Sequence, residues 1–187
     1  LFLELIIDPS CAMIFEAEGA DPDIMTRPPR DPRARLFGRR ALVVSLAQGL
    51  SVLAVVMGVF LVTWAHGRAE LSGLDAKTKA ENFARGLTFA ALVIANLGLI
   101  MTNRSWSRTI LGMMKVPNAA LWWVVGGASG FLALVICVPG LRNLFHFTPL
   151  ELKDLLLCLL AGAASVAWFE ASKVLRGLRR ARHPSGR

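Results

Sequence analysis

Ala41 to Trp64 reads ALVVSLAQGLSVLAVVMGVFLVTW, and its only hydroxyl or amide side chains are Ser45, Gln48, Ser51 and Thr63. A helix of that length rises about 36 Å, which exceeds the roughly 30 Å hydrocarbon core of a bilayer. The stretch does not alternate apolar with polar residues as a barrel strand would, and in lipid only helices and closed barrels satisfy their own backbone groups. It reads as a spanning helix. Downstream, Leu87 to Thr102 carries Asn96 near its middle, and Ala119 to Val138 stops at Pro139-Gly140. Leu155 to Phe169 is lengthened by Leu150, Leu152, Ala171 and Val174, with Lys153 and Lys173 expected to snorkel outward. Upstream, the apolar run Leu1 to Phe15 is shorter than the roughly 20 residues of a full span and lacks a basic leader and a cleavage site. A spanning helix entered partway along, hence a fragment of a longer chain, is the expectation. The predicted fold class is all-α: a polytopic membrane helix bundle of five transmembrane helices, the first one truncated.

The 187 residues are 55% apolar, too many for a surface that faces water throughout. A net charge of +8 would suggest nucleic acid in a soluble chain. Here the basic residues cluster between apolar runs, which is a topology signal, and no nucleic-acid partner is expected. Of the 21 Lys and Arg, fifteen fall in 21–40, 103–117 and the tail, and six on the opposite side. The positive-inside rule then predicts a cytoplasmic C-terminus, in what is expected to be the cell membrane. The five tryptophans, Trp64, Trp106, Trp122, Trp123 and Trp168, sit at or near span ends, where an indole keeps its ring apolar and its N–H wet. Gly126 with Gly130, Ala54 with Gly58, and Ala161 to Ala164 are the expected helix-packing faces. Cys11, Cys137 and Cys158 lack the spacing of a zinc or redox site and read as small apolar residues.

Glu4 and Asp8 are four residues apart in the first apolar run, so a regular helix projects both from one face. Each carboxylate near a bilayer centre costs on the order of 2.5–3.5 kcal/mol on insertion scales, so both need protein, water or a cation around them. Pro9 follows Asp8 and cannot bond the carbonyl of Leu5, which frees backbone oxygen beside two carboxylates. Hard cations take such ligands. The competing reading puts Glu4 near the helix end and leaves Asp8 protonated and hydrogen-bonded. Asn96 could add an amide oxygen from a second helix, or simply bond across a helix pair. Glu170 reads as an interfacial ion pair with Lys173, and His66, His146 and His183 have no partner at metal-ligand spacing.

The segment Asp23-Ile-Met-Thr-Arg-Pro-Pro-Arg-Asp-Pro resembles the D-I-M-x-R-P-P-R-x-P motif that follows the sixth membrane helix of type II P-type cation ATPases. Glu4-Leu-Ile-Ile-Asp8 is similar to the carboxylate-bearing part of that helix, N-L-x-x-D in calcium pumps and acidic-L-x-x-D in sodium/potassium and proton/potassium pumps. Ala95-Asn96 followed by Asn103-Arg104-Ser105 resembles the eighth helix of bacterial calcium pumps. The resemblance covers Leu1 to about Gly177 and makes the helices the sixth to tenth. It implies that Glu4, Asp8 and Asn96 are ligands of a transported cation. It also implies that the ATP, the Mg2+ and the phosphorylated aspartate belong to upstream domains of the parent. No cofactor is expected in this chain. Two departures stand out: calcium pumps carry Asn where this chain has Glu4, and Pro9 replaces the usual Gly, so calcium, another divalent metal, sodium and proton all stay open.

The expected organisation is a truncated helix with the carboxylates (1–18), a cytoplasmic Pro/Arg-rich loop (19–40), four transmembrane helices (41–177) and a basic cytoplasmic tail (178–187). The expected function is the membrane part of an ATP-driven pump, partnered by the cation, the bilayer and the upstream ATPase domains. The competing readings are a self-contained small carrier, channel or scaffold without ATPase activity, and an anchor for anionic lipid or RNA through the Arg-rich tail.

Overall fold

Long apolar runs without a helix breaker should stay helical past the lipid boundary until a proline, a glycine or a cap ends them, and the computed structural model bears this out. It describes residues 8–19, 25, 38–70, 74–105, 109–114 and 116–182. In chain order the helices are α1 (Asp8–Glu16), α2 (Arg39–Glu70), α3 (Leu74–Asn103), α4 (Ile110–Met113), α5 (Ala119–Cys137), α6 (Pro139–Leu144) and α7 (Leu152–Arg182). No strand occurs among the described residues.

Four segments are long and apolar enough to cross a membrane: Ala41–Gly67, Lys77–Asn103, Ala119–Cys137 and Leu152–Leu175. The expected fifth begins in residues 1–7, which lie outside the described residues along with most of the Pro/Arg-rich loop. What remains of it is α1, nine residues long.

Burial runs opposite to that of a water-soluble bundle. Leu42, Leu46, Leu50, Leu53, Met57 and Leu61 form one stripe along α2, and all six are exposed. So continuous an apolar surface suits hydrocarbon and would drive association in water. The chain is an integral membrane helix bundle.

α3 is the central helix, half of its membrane window buried against 17–28% for the others. Its face is built from small residues, with Ala84, Ala90, Ala91 and Ala95 all at 2% exposure or less. α7 crosses it where a Cβ on Gly162 would lie 2.7 Å from Ile94 Cγ2 and 3.2 Å from the Ala95 nitrogen. Only hydrogen fits there. α2 meets α3 the same way at the opposite end, where a Cβ on Gly67 would lie 2.8 Å from Ala80 Cβ.

The other expected packing faces are not used. Gly58, Gly126 and Gly130 have nothing within 4 Å of a built Cβ, and Ala54 is exposed. Small residues permit close approach without requiring it, and α5 sits at the edge of the bundle, against α1, α3 and α6.

The helix ends follow local chemistry. Asn118 caps α5, its Oδ1 accepting from the Leu121 amide at 3.0 Å. Pro139 occupies the first position of α6, where its missing N–H costs nothing. At the start of α7, Asp154 reaches back to the Glu151 amide at 2.8 Å, the reciprocal half of a capping box. His146, at φ 56, turns the chain so that Phe145 and Phe147 both pack on Phe89 of α3.

Candidate functional site

Asp8 and Pro9 are the first described residues of α1. Glu4 lies outside the described residues. The depth of Asp8 follows from how α1 is held. Ile14 and Cys11 of α1 share one apolar cluster with Ile100 and Leu97 of α3. One turn further on, Glu18 bonds Arg104, 86 residues away. Residues of α1 therefore sit level with residues of α3 about 86 positions later, which brings the Asp8 backbone to the level of Ile94. Ile94 is about nine residues, or roughly 13 Å, from the end of α3, close to half of the roughly 30 Å core. The Asp8 backbone is thus level with the interior of the α3 span, and Asn96 is within about half a turn of the same level.

Asn96 is half-buried on α3. No side-chain contact between Asn96 and the α1 segment is described. Among the described residues no group of three or more His, Cys, Asp or Glu gathers as a metal site.

Below Asp8, at the end where α2 starts and α3 stops, the structure builds a polar assembly. Arg104, with its side chain 2% exposed, donates from Nε to Glu18 Oε2 at 2.7 Å and from Nη2 to Glu18 Oε1 at 3.1 Å. Its Nη1 and Nη2 also reach the carbonyls of Met113 at 3.3 Å and Val116 at 3.4 Å. Asn118 Nδ2 donates to the Ile14 carbonyl at 3.0 Å and to Glu18 Oε2 at 3.1 Å. Burial pushes the Glu18 carboxyl up, but the hydrogen bonds from Arg104 and Asn118 and the guanidinium charge outweigh it and hold the group below its usual range.

Beside this pair lies a second one. Glu170 and Lys173 are ion-paired at 2.8 Å, as the sequence suggested. Lys173, however, does not snorkel outward. Its side chain is 1% exposed, and its ammonium donates to both the carbonyl and the hydroxyl of Thr102 while lying 4.9 Å over the Phe169 ring. The Thr102 hydroxyl also donates to Glu170, whose other oxygen accepts from the Ile110 amide at 3.0 Å. The physical reason is local: the last carbonyls of α3 lack helical partners, and a cation from α7 satisfies them better than the membrane surface would. Between the two pairs, Gln48 Nε2 donates to Asn103 Oδ1 at 3.0 Å.

Asp8 and Asn96 thus share one level of a helical membrane bundle. A sequence model of the family described as "Cation transporting ATPase, C-terminus" matches residues 1–175. The chain belongs to this family. Among known members it is similar to Calcium-transporting ATPase 1 of Schizosaccharomyces pombe, 25% identical over 170 residues, which cover 91% of this chain and 18% of that protein. It is 23% identical to the human Calcium-transporting ATPase type 2C member 1 over 159 residues, 85% of this chain and 16% of that one. The Calcium-transporting ATPase of Bacillus subtilis is 23% identical over 157 residues, 84% of this chain and 16% of that one. The chain therefore spans less than a fifth of the length of these relatives.

Neither Arg104 nor Thr102 announced itself in the sequence. Their carboxylate partners are 86 and 68 residues away, and an Arg or Thr at the end of an apolar run looks the same whether it faces water or a carboxylate. A signal did exist for Asn118, a cap residue directly before an apolar run.

Proposed function

We propose that this chain is the membrane part of an ATP-driven P-type cation pump, and that Glu4, Asp8 and Asn96 supply oxygen ligands to the transported cation. The reading is supported by the packing of the helix bearing Asp8 beside α3, which carries Asn96, in a chain that belongs to the cation-transporting ATPase family. A carboxylate there needs a compensating charge, and a passing cation provides one.

Two carboxylates and one amide fall short of the six to eight oxygens that a calcium ion takes. The remaining ligands then come from parts of the parent outside this chain, as do the ATP site, its Mg2+ and the phosphorylated residue. Calcium is the first candidate cargo, because the relatives are named for calcium transport. The basic end of the bundle faces the cytoplasm of the cell membrane in this reading, which leaves the C-terminus inside.

During transport the site must bind on one side and release on the other. Reorienting or protonating two adjacent carboxylates lowers their affinity for a cation, and phosphorylation of the upstream domains would drive that change. Replacing Asp8 by Asn in the full-length gene product tests the assignment. Cation-dependent phosphorylation from ATP is expected to disappear while membrane insertion persists. Phosphorylation with an unchanged cation dependence would remove Asp8 from the site.

A further inference from the structure

Three consecutive residues at the end of α3 hold three different parts of the bundle. Thr102 engages Glu170 and Lys173 of α7, Asn103 accepts from Gln48 of α2, and Arg104 binds Glu18 just beyond α1. We propose that this node fixes the position of the helix carrying Asp8, with Arg104 as its positioning residue, so that cation affinity depends on a side chain that never meets the cation. The proposal rests on the reading of Asp8 as a ligand.

The geometry supports it in three ways. First, the end of α1 is tied directly to the node: Glu18 meets Arg104 and Asn118, and Asn118 also bonds the Ile14 carbonyl, beside the apolar cluster around Ile14. Second, the guanidinium meets both oxygens of Glu18, and a two-point contact fixes orientation as well as distance. Third, the other side of Arg104 is rigid. It grips carbonyls of the 113–116 segment, and its neighbours Thr102 and Asn103 are themselves tied to α7 and α2. A displacement at Glu18 would travel up a single helix of about ten residues, roughly 15 Å, and arrive at Asp8. The Asn118 amide meets the same Glu18 oxygen as Arg104 Nε, so the start of α5 moves with the pair.

The test compares Arg104→Gln, Arg104→Lys and Glu18→Gln with Asp8→Asn in the full-length protein. Two readouts are taken: the calcium dependence of phosphorylation, and the rate at which a thiol reagent labels Cys11 on α1. Arg104→Gln and Glu18→Gln are expected to raise the half-saturating calcium concentration on the order of ten-fold. The maximal phosphoenzyme per folded molecule should stay unchanged, and Cys11 labelling should accelerate. Arg104→Lys, which keeps the charge but loses the fork, should fall between. The proposal is overturned if the half-saturating concentration stays put, or if only the amount of folded protein drops. A separate failure belongs to the earlier reading: if Asp8→Asn keeps its calcium dependence, the ligand assignment falls. In that case Cys11 labelling still reports whether Arg104 sets the position of α1.

Discussion

At Gly162, α7 packs directly against the backbone of α3, and adding one methyl group there gives a sharp prediction. In Gly162→Ala the new Cβ would stand 2.7 Å from Ile94 Cγ2, 3.2 Å from the Ala95 nitrogen and 3.3 Å from the Ile94 carbonyl carbon. The Ile94 methyl can rotate away, but the two backbone atoms cannot. α7 must therefore back off α3 by a few tenths of an ångström, which weakens the dispersion contacts along the seam. That seam includes Gly98, where an added Cβ would lie 3.6 Å from Val166, and the Cys158 thiol on the Leu87 carbonyl at 3.3 Å. Overpacking of this kind costs about 1–3 kcal/mol, offset by the roughly 0.5–1 kcal/mol that alanine gains over glycine inside a helix. The net expectation is a loss of about 1–2 kcal/mol. Gly130→Ala on α5, with nothing within 4 Å, should show only the gain, about 0.5–1 kcal/mol in the opposite direction. Thermal denaturation in a mild detergent, followed by tryptophan fluorescence, compares the two. If Gly162→Ala is as stable as the parent, or if both substitutions shift stability the same way, the α3/α7 crossing is not as described.

Two further outcomes follow from the polar node. Lys173→Met leaves Glu170 without its cation and the Thr102 carbonyl without its donor, at a cost of about 3 kcal/mol. This is the lower end for a broken buried pair, because Glu170 keeps its bonds to Thr102 and Ile110. Adding Glu170→Gln should recover part of that loss in a double-mutant cycle, and full additivity would contradict the pairing. The Glu18 carboxyl is held below its ordinary value of 4.5, so the stability it contributes is complete above that value and is lost as the pH falls through the lower folded-state value. Cys11 labelling should therefore accelerate on acidification in that range in the wild type. Glu18→Gln should label fast at every pH, and a parallel pH dependence in the two proteins would refute the linkage.

The spans were legible because a bilayer imposes a length: a run such as Ala41 to Trp64 has no other stable place to go. Their ends were less so. α3 starts at Leu74 rather than near Leu87, since Ala80, Ala84 and Leu87 continue one buried face through a stretch that also carries Lys77, Lys79 and Glu81. α2 likewise runs to Glu70, past Trp64 and through His66, because nothing there breaks a helix. The short helices α4 and α6 carry too few residues for any periodicity to show. The acidic pair in the first apolar run stood out because charge at that place is expensive. The node did not, because Arg104, Thr102 and Lys173 acquire their partners only when α1, α3 and α7 come together. Lys173 in particular has the stem length to reach water, and the unpaired end of α3 decides otherwise.

The central claim is that Asp8 lies on the path of a cation pumped at the expense of ATP. Uptake of radioactive calcium into sealed vesicles containing the full-length protein tests it most directly, with sodium and proton uptake measured alongside. ATP-driven calcium accumulation that stops in Asp8→Asn is the predicted result. The claim is contradicted if ATP drives no cation uptake, or if the uptake survives that substitution unchanged.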